Sequence, residues 1–340
     1  MENRQVILAE RPVGMINDAT TKLIVTEAPV CGPDEALVKV GLVSIDPAMR
    51  GWMDDVPSYL PPIAIGEVIR SGGGGVVVES NSARYQVGDV VYGQTNWQEW
   101  VVASEQNTFT VLSKDLGVDL ATAMGALGMT GLTAYFGLLE VGQFKVGDVV
   151  LVSGAGGATG SVAGQIAKAR GAAKVVGIAG GPEKCAEVVK RYGFDECLDY
   201  KEPRLRQRIR EACPSGVDLY FDNVGGEILD DALANIALRA RVVLCGAISQ
   251  YNAIERHGVA NTPVMIGRRG HMEGFIVFDF AARYAEAQAE LATMVLDGTL
   301  AHQEHLVYGL ERAPDALNLL FSGGNHGKTL VVVDESVTLA

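Results

Sequence analysis

Hydrophobic positions change rhythm near Leu120. Before that point, short Val-rich runs alternate with Gly, Asn and Asp, as in Glu35–Ile45 (EALVKVGLVSI), Gly74–Asn81 (GGVVVESN) and Val87–Gly93 (VGDVVYG). Such runs, broken by turn formers, predict a β-rich region. Val87–Gly93 and the Trp97–Ser104 run (WQEWVVAS) that follows read as a hairpin. From Asp119 onward, DLATAMGALGMTGLTAYFGLLEVG carries apolar residues at helical spacing, with Asp119 placed as an N-cap.

Strand and helix patterns then alternate. DVVLVSG predicts a buried strand, and GSVAGQIAKARG a helix closed by Gly171. KVVGIAG predicts a second strand, and PEKCAEVVKRYG a helix opened by Pro182. ECLDY and VDLYFDNVG predict further strands, EILDDALANIAL a helix and ARVVLCGAI a strand. This repetition predicts an α/β fold with a doubly wound parallel sheet of Rossmann type. Ala281–Leu300 reads as a long amphipathic helix, and GLERAPDALNLLFSGGNHGKTLVVV as helix, glycine turn and strand. The expected organisation is a β-rich domain over 1–122, completed by 303–340, and a dinucleotide-binding domain over 123–302.

Composition adds limits. The chain has 340 residues, enough for two cores, and 48% are hydrophobic. A formal net charge of -13 makes nucleic acid and anionic membranes poor partners. No apolar run approaches the roughly 18 residues of a membrane span, and MENRQVILAERP lacks the core of a secretory signal, so the expected compartment is the cytoplasm. The five cysteines (Cys31, Cys185, Cys197, Cys213 and Cys245) form no C-x-x-C pair and read as ordinary buried or surface thiols.

The candidate chemistry begins at Val149–Lys168, which holds five glycines between a valine-rich strand and a helix. Gly154, Gly157 and Gly160 recur every three residues where the strand must turn into the helix. Side chains there would keep a diphosphate from the helix N-terminus, whose amide groups and dipole favour anions. The strand before, the helix after and a second strand within about 30 residues meet the context that a dinucleotide site requires. An NAD site places Asp or Glu at the end of that second strand. Here the strand end is Gly180-Gly181, with Lys184 just beyond, which favours the 2′-phosphate of NADP.

Several longer stretches then resemble one family. They are Ser44–Met53 (SIDPAMRGWM), Pro57–Gly72 (PSYLPPIAIGEVIRSG), Gly128–Gly142 (GMTGLTAYFGLLEVG), AGGPEKCAEVVKRYGFD, DNVGGEILDDAL, Cys245–Asn252 (CGAISQYN), Glu273–Phe280 (EGFIVFDF) and GGNHGKTLVVV. Together they resemble the zinc-independent medium-chain dehydrogenase/reductases. Within these they are similar to the leukotriene B4 12-hydroxydehydrogenase / 15-oxoprostaglandin 13-reductase family and its bacterial curcumin reductases. The resemblance spans nearly the whole chain. It implies a GroES-like β-rich catalytic domain beside the Rossmann domain, a homodimer, and NADPH-dependent reduction of the carbon–carbon double bond of enones and enals. It also implies positions. Gly157, Ala158, Thr159 and Gly160 would hold the diphosphate, and Lys184 and Tyr200 the adenosine 2′-phosphate region. Asn223 would lie near the cofactor, and Cys245, Gly246, Ala247, Ile248, Ser249 and Tyr251 beside the nicotinamide ribose. Phe275, Ile276 and Val277 would flank the nicotinamide, and Asn325 would reach it from the C-terminal segment.

Hydride addition to the β-carbon of a conjugated carbonyl leaves an enolate, so donors aimed at its oxygen are the main catalytic need. Tyr251 is the first candidate, with a ribose hydroxyl sharing the task, and Tyr59 is the second. The chain departs from the family where Ala48 replaces a common Tyr, Trp52 a common Arg and Thr130 a common Pro. The first two alter pocket shape and polarity and put curcumin in question as a substrate. No zinc site is expected: Cys31 has no evident partner, no His precedes Glu67, and His302 and His305 have no third ligand nearby. The readings kept beside enone reduction are an NADPH quinone reductase and a non-catalytic NADPH-binding protein.

Overall fold

The computed structural model describes residues 1–337, apart from the side chain of Asp115. In chain order, the strands and helices up to the change of rhythm are β1 (Glu2–Leu8), β2 (Thr21–Glu27), β3 (Ala36–Ser44), α1 (Ala48–Trp52), β4 (Gly72–Ser80), β5 (Val90–Gln94), β6 (Trp100–Ala103), β7 (Thr110–Val111) and α2 (Leu120–Met124). There follow α3 (Met129–Phe136), β8 (Val149–Ser153), α4 (Ala158–Ala169), β9 (Lys174–Ala179), α5 (Pro182–Tyr192), β10 (Glu196–Asp199) and α6 (Leu205–Ala212). Next come β11 (Val217–Asp222), α7 (Gly226–Leu233), β12 (Ile236–Leu244), α8 (Thr262–Arg268), β13 (His271–Gly274) and α9 (Tyr284–Leu296). The chain closes with β14 (Glu304–Tyr308), α10 (Ala313–Ser322) and β15 (Lys328–Val332). Two compact units result, one from 1–124 with 304–340 and the other from 125–303.

In the first unit β3 is the central strand. It pairs antiparallel with β4, β6 and β15, so the C-terminal strand is built into this sheet. The full order is β14-β15-β3-β4-β5-β7, with β6 on β3 outside that path. The expected hairpin of Val87–Gly93 with Trp97–Ser104 does not form, because β5 lies between β4 and β7 while β6 joins β3. Alternating valines specify a strand but not its partner. Leu42, Leu120, Met124, Leu330 and Val332 pack together as one apolar cluster of this unit.

The second unit holds a six-stranded sheet of order β10-β9-β8-β11-β12-β13, every pairing parallel. Numbered from β8, this is the doubly wound 3-2-1-4-5-6 order, which reverses between β8 and β11. One face is packed by Leu151, Val176, Ile178, Tyr220 and Val242 against Leu205 and Ile209 of α6 and Leu229 and Leu233 of α7. Pro182 stands at the start of α5, and Gly193 ends that helix at φ 69°. Three helices are shorter than the pattern suggested; the expected Ala281–Leu300 helix is α9 only over Tyr284–Leu296. The stretch from Asp119 breaks between α2 and α3, where Gly128 is extended, and EILDDALANIAL stops at Leu233 because Ile236 already belongs to β12. Asp119 caps as expected, its carboxylate accepting the Thr122 N–H at 2.7 Å.

Candidate dinucleotide site and the tyrosine loop

Ligands of doubly wound sheets bind beyond the carboxyl ends of the strands where the order reverses. Here those ends are Ser153 and Asp222. The Ser153 hydroxyl donates to the Asp222 carboxylate at 2.8 Å, and Asn223 donates its backbone N–H to the Ser153 hydroxyl and its side-chain amide to the Ser153 carbonyl. Asp222 also accepts the Tyr220 hydroxyl and the N–H groups of Val224 and Gly225. Burial raises its pKa, and these four donors oppose the shift. The two strand ends are thus pinned to each other.

Gly154 leaves β8 at φ 62°, which a β-carbon would strain, and α4 begins at Ala158 after the extended Gly157. A β-carbon on Gly160 would lie 2.3 Å from the Gly154 carbonyl oxygen, so the helix can approach the turn only with glycine there. Gly157 has no such crowding; the nearest atom to a β-carbon would be 3.3 Å away. The N–H groups of Ala158, Thr159 and Gly160, in the first turn, have no acceptor within the helix, and no side chain caps it. This arrangement fits a diphosphate.

Lys184 reaches back from α5 to this turn. A β-carbon on Gly156 would lie 2.8 Å from its side-chain stem. Tyr200 packs on Gly180, where a β-carbon would lie 2.9 Å from its ring. Asp199, at the end of β10, accepts the N–H groups of Gly181 and Lys201. Partial burial lowers the Lys184 pKa; Glu187 opposes this and Lys201 adds to it. Lys184, Tyr200 and Lys201 therefore gather at a strand end without a carboxylate of its own. Lys201 escaped sequence reasoning, although it directly follows Tyr200.

The Cys245–Tyr251 segment lies on the β11 loop. Cys245 and Gly246 donate their N–H groups to the Asp222 carbonyl, and Ile248 and Ser249 donate theirs to the carbonyls of Asn223 and Val224. The Tyr251 hydroxyl oxygen accepts the Ala247 N–H at 3.1 Å. Beyond β13, the Phe275 ring faces inward, edge-on to Phe280 and against Gly137, where a β-carbon would lie 2.6 Å from it. Val277 is buried, its carbonyl accepting the Tyr284 hydroxyl, and Ile276 is half-buried.

Tyr59 and Asn325 belong to the first unit. Tyr59 sits on a loop whose ends meet: the Ile63 N–H bonds to the Trp52 carbonyl, and one Arg11 nitrogen donates to the carbonyls of both Met53 and Ile63. The Trp52 indole N–H donates to the Tyr59 hydroxyl at 3.0 Å, and the two rings pack edge to face. Partial burial raises the Tyr59 pKa; the Trp52 bond opposes the shift and the Asp46 charge adds to it. Buried Lys328 pairs with Asp46 and donates to the Ile45 carbonyl, tying β15 to the turn before α1. The Asn325 side chain donates to the Gly327 carbonyl.

Residues 4–111 match a family described as the N-terminal domain of oxidoreductase, and residues 158–293 one described as zinc-binding dehydrogenase. The zinc in that description finds no ligand set here: among the described residues no three His, Cys, Asp or Glu side chains gather as metal ligands would. The chain is 40% identical to a 2-alkenal reductase (NADP(+)-dependent) of Nicotiana tabacum, over 98% of each chain. It is 38% identical to the NADPH-dependent curcumin reductase of Escherichia coli, over 97% of each. Among solved structures, CurA from Vibrio vulnificus in complex with NADPH superposes with a TM-score of 0.92 at 39% identity, covering 98% of this chain and 99% of that one. With the parallel sheet of the second unit and the β-rich first unit, these matches establish that the chain is an oxidoreductase belonging to the zinc-independent medium-chain dehydrogenase/reductase family.

Proposed function

We propose that the protein uses NADPH to reduce the carbon–carbon double bond of α,β-unsaturated ketones and aldehydes. The observation that carries the cofactor choice is the Lys184–Tyr200–Lys201 cluster at the end of β9, where the one carboxylate at Gly181, that of Asp199, is occupied by backbone N–H groups. The double-bond chemistry is supported by the alkenal- and curcumin-reducing relatives.

Bound NADPH supplies a hydride to the β-carbon. The chain's residues do the rest. Gly157, Ala158, Thr159 and Gly160 receive the diphosphate on the α4 N-terminus, and Lys184 and Tyr200 hold the 2′-phosphate. Asn223, the Cys245–Ser249 backbone and Phe275–Val277 shape the nicotinamide end, and Asn325 is assigned to the same end. The Tyr251 hydroxyl donates to the developing enolate oxygen, strengthened as a donor because its oxygen already accepts the Ala247 N–H. Tyr59 is the second candidate donor, held by Trp52. On this reading the first unit is the catalytic domain and the second the NADP-binding domain.

A panel of simple enones and enals with NADPH, beginning with 3-nonen-2-one, tests the proposal, with curcumin and quinones run alongside. Consumption of NADPH by the enones, faster than by quinones, is the expected result. Faster turnover of quinones favours a quinone reductase, and tight NADPH binding without turnover on any acceptor favours a non-catalytic protein. We further propose a cytoplasmic homodimer, for which edge strand β13 offers an exposed pairing surface. Among the described residues no helix is long and apolar enough to cross a membrane.

A further inference from the structure

Cys185 and Cys197, scattered in sequence, meet beside the Lys184 cluster. Cys185 is buried in the first half of α5, its sulfur 3.9 Å from the Ala179 carbonyl oxygen at the end of β9. Cys197 is half-buried on β10, an edge strand, directly opposite Gly177 on β9. A β-carbon on Gly177 would lie 3.0 Å from a Val188 methyl, so that face of the sheet is the one α5 covers. Paired residues of neighbouring strands point to the same face, which puts the Cys197 side chain under α5. Cys185 lies three residues before Val188, on the same side of the helix. The Cys185 sulfur lies against the Ala179 carbonyl, one strand from Cys197 and on the same face of the sheet, so the two thiols are close enough to perturb each other.

The pairing divides their chemistry. Their interaction lowers the pKa of Cys185 and, with burial, raises that of Cys197. Cys185 is therefore the readier nucleophile, while Cys197, nearer the surface, keeps its proton.

We propose that Cys185 and Cys197 form a redox-active dithiol that hydroperoxides oxidise to a disulfide, and that this bond weakens NADPH binding. The Cys185 thiolate attacks the peroxide oxygen. The O–O bond breaks, a sulfenic acid forms and one molecule of water leaves. Cys197 then attacks the sulfenic sulfur, the S–S bond forms, the S–O bond breaks and a second water leaves. Two thiols and hydrogen peroxide thus give one disulfide and two waters. An S–S bond of about 2.05 Å is shorter than the contact of two separate thiols, so forming it draws the start of α5 toward β10. Lys184, the residue before Cys185, then shifts from its seat on Gly156. This coupling rests on the reading of Lys184 as the 2′-phosphate partner.

The test treats the full-length protein with hydrogen peroxide. The expected product has lost two hydrogens, yields a single cross-linked peptide joining Cys185 to Cys197 and returns to the reduced form with dithiothreitol. Neither Cys185→Ser nor Cys197→Ser should give that peptide. The Kd for NADPH should rise about tenfold on oxidation of the native protein, and that for NADH should stay within about twofold. Absence of the cross-link overturns the dithiol, and a cross-link that leaves the NADPH Kd unchanged overturns the coupling. Failure of the reduced protein to bind NADPH instead overturns the cofactor reading, and the coupling with it, while the peptide still decides the dithiol.

Discussion

The Trp52 indole N–H donates to the Tyr59 phenolic oxygen at 3.0 Å, with the rings at 78°. Indole has a donor and no acceptor, so the phenol must be the acceptor here and its own proton points elsewhere. Trp52 thereby orients the Tyr59 hydroxyl as a donor. We expect Trp52→Phe to lower kcat about fivefold, the rate equivalent of about 1 kcal/mol for one neutral hydrogen bond. Burial and Asp46 raise the Tyr59 pKa while Trp52 lowers it, so the variant's alkaline limb should move to higher pH. A kcat-against-pH profile that matches the native one in height and position would remove Tyr59 from the chemistry.

The glycines of the β8–α4 turn divide into two kinds. A β-carbon on Gly160 meets backbone 2.3 Å away, whereas on Gly157 it meets nothing closer than 3.3 Å. Gly160→Ala should therefore lower the melting temperature by several degrees. Gly157→Ala should fold normally, because φ -89° suits any residue, yet bind NADPH about tenfold more weakly as its methyl group obstructs the diphosphate. Thermal melts and NADPH titrations on both variants separate the two effects. Unimpaired binding by Gly157→Ala would mean that the turn does not carry the diphosphate.

Much of this site was legible in the sequence, for local reasons. The glycine spacing, Pro182, Gly193 and the missing carboxylate at Gly180-Gly181 all act within a few residues of one another, so the chain itself displays them. What escaped reading is made by long-range contact. Ser153 and Asp222 are 69 residues apart and meet only because β8 and β11 are neighbours. The Cys185–Cys197 pair depends on register with Gly177. Trp52 stands out in the sequence as a departure, but its bond to Tyr59 depends on a loop closed by Arg11, 42 residues before Met53. Likewise β6 has strand character in sequence, but it gains β3 as a partner only because β15 pairs with Leu42–Ser44 and leaves Ala36–Lys39 of that edge to β6.

On the proposed reading, Lys184 and Lys201 set the preference between cofactors. A lysine–phosphate contact contributes on the order of 1.5–3 kcal/mol, or roughly 10–100-fold in affinity. Lys184→Ala should raise the KM for NADPH by about that factor and leave the KM for NADH nearly unchanged. Lys201→Ala should shift the same ratio in the same direction but less, because Tyr200 and Lys184 remain on Gly180 and Gly156. Steady-state kinetics with both cofactors gives the ratio directly. Equal losses for NADPH and NADH would remove Lys184 from the 2′-phosphate.

Tyr251 has a structural duty as well as the proposed catalytic one, since its oxygen accepts the Ala247 N–H. Tyr251→Phe removes the acceptor and the donor together. If the hydroxyl stabilises the enolate, kcat should fall at least about tenfold, while the NADPH Kd changes by less than about threefold. A purely structural duty gives the reverse, with weakened NADPH binding and nearly intact turnover. Single-turnover rates and fluorescence titration of NADPH distinguish the two outcomes.

Alkaline stability gives a check independent of activity. Cys213, at the end of α6, is 2% exposed, and burial raises its pKa from 9.0 to about 11, opposed by Lys174 and reinforced by Glu196 and Asp218. Between those values the folded chain holds a proton that the unfolded chain has lost, so stability falls as pH rises through the window. At roughly 1.4 kcal/mol per unit, the loss by about pH 10.5 is on the order of 2 kcal/mol. Cys213→Ala removes this dependence and leaves a small cavity costing about 1 kcal/mol. The variant should therefore be the less stable protein at pH 7.5 but lose less between pH 8 and pH 10.5. Tyr135 and Tyr284, whose pKa values burial raises to about 12, continue to titrate in both proteins and set the common background. Urea midpoints at the two pH values measure the difference, and equal losses in native protein and variant would show that the Cys213 thiol is not held protonated by the fold.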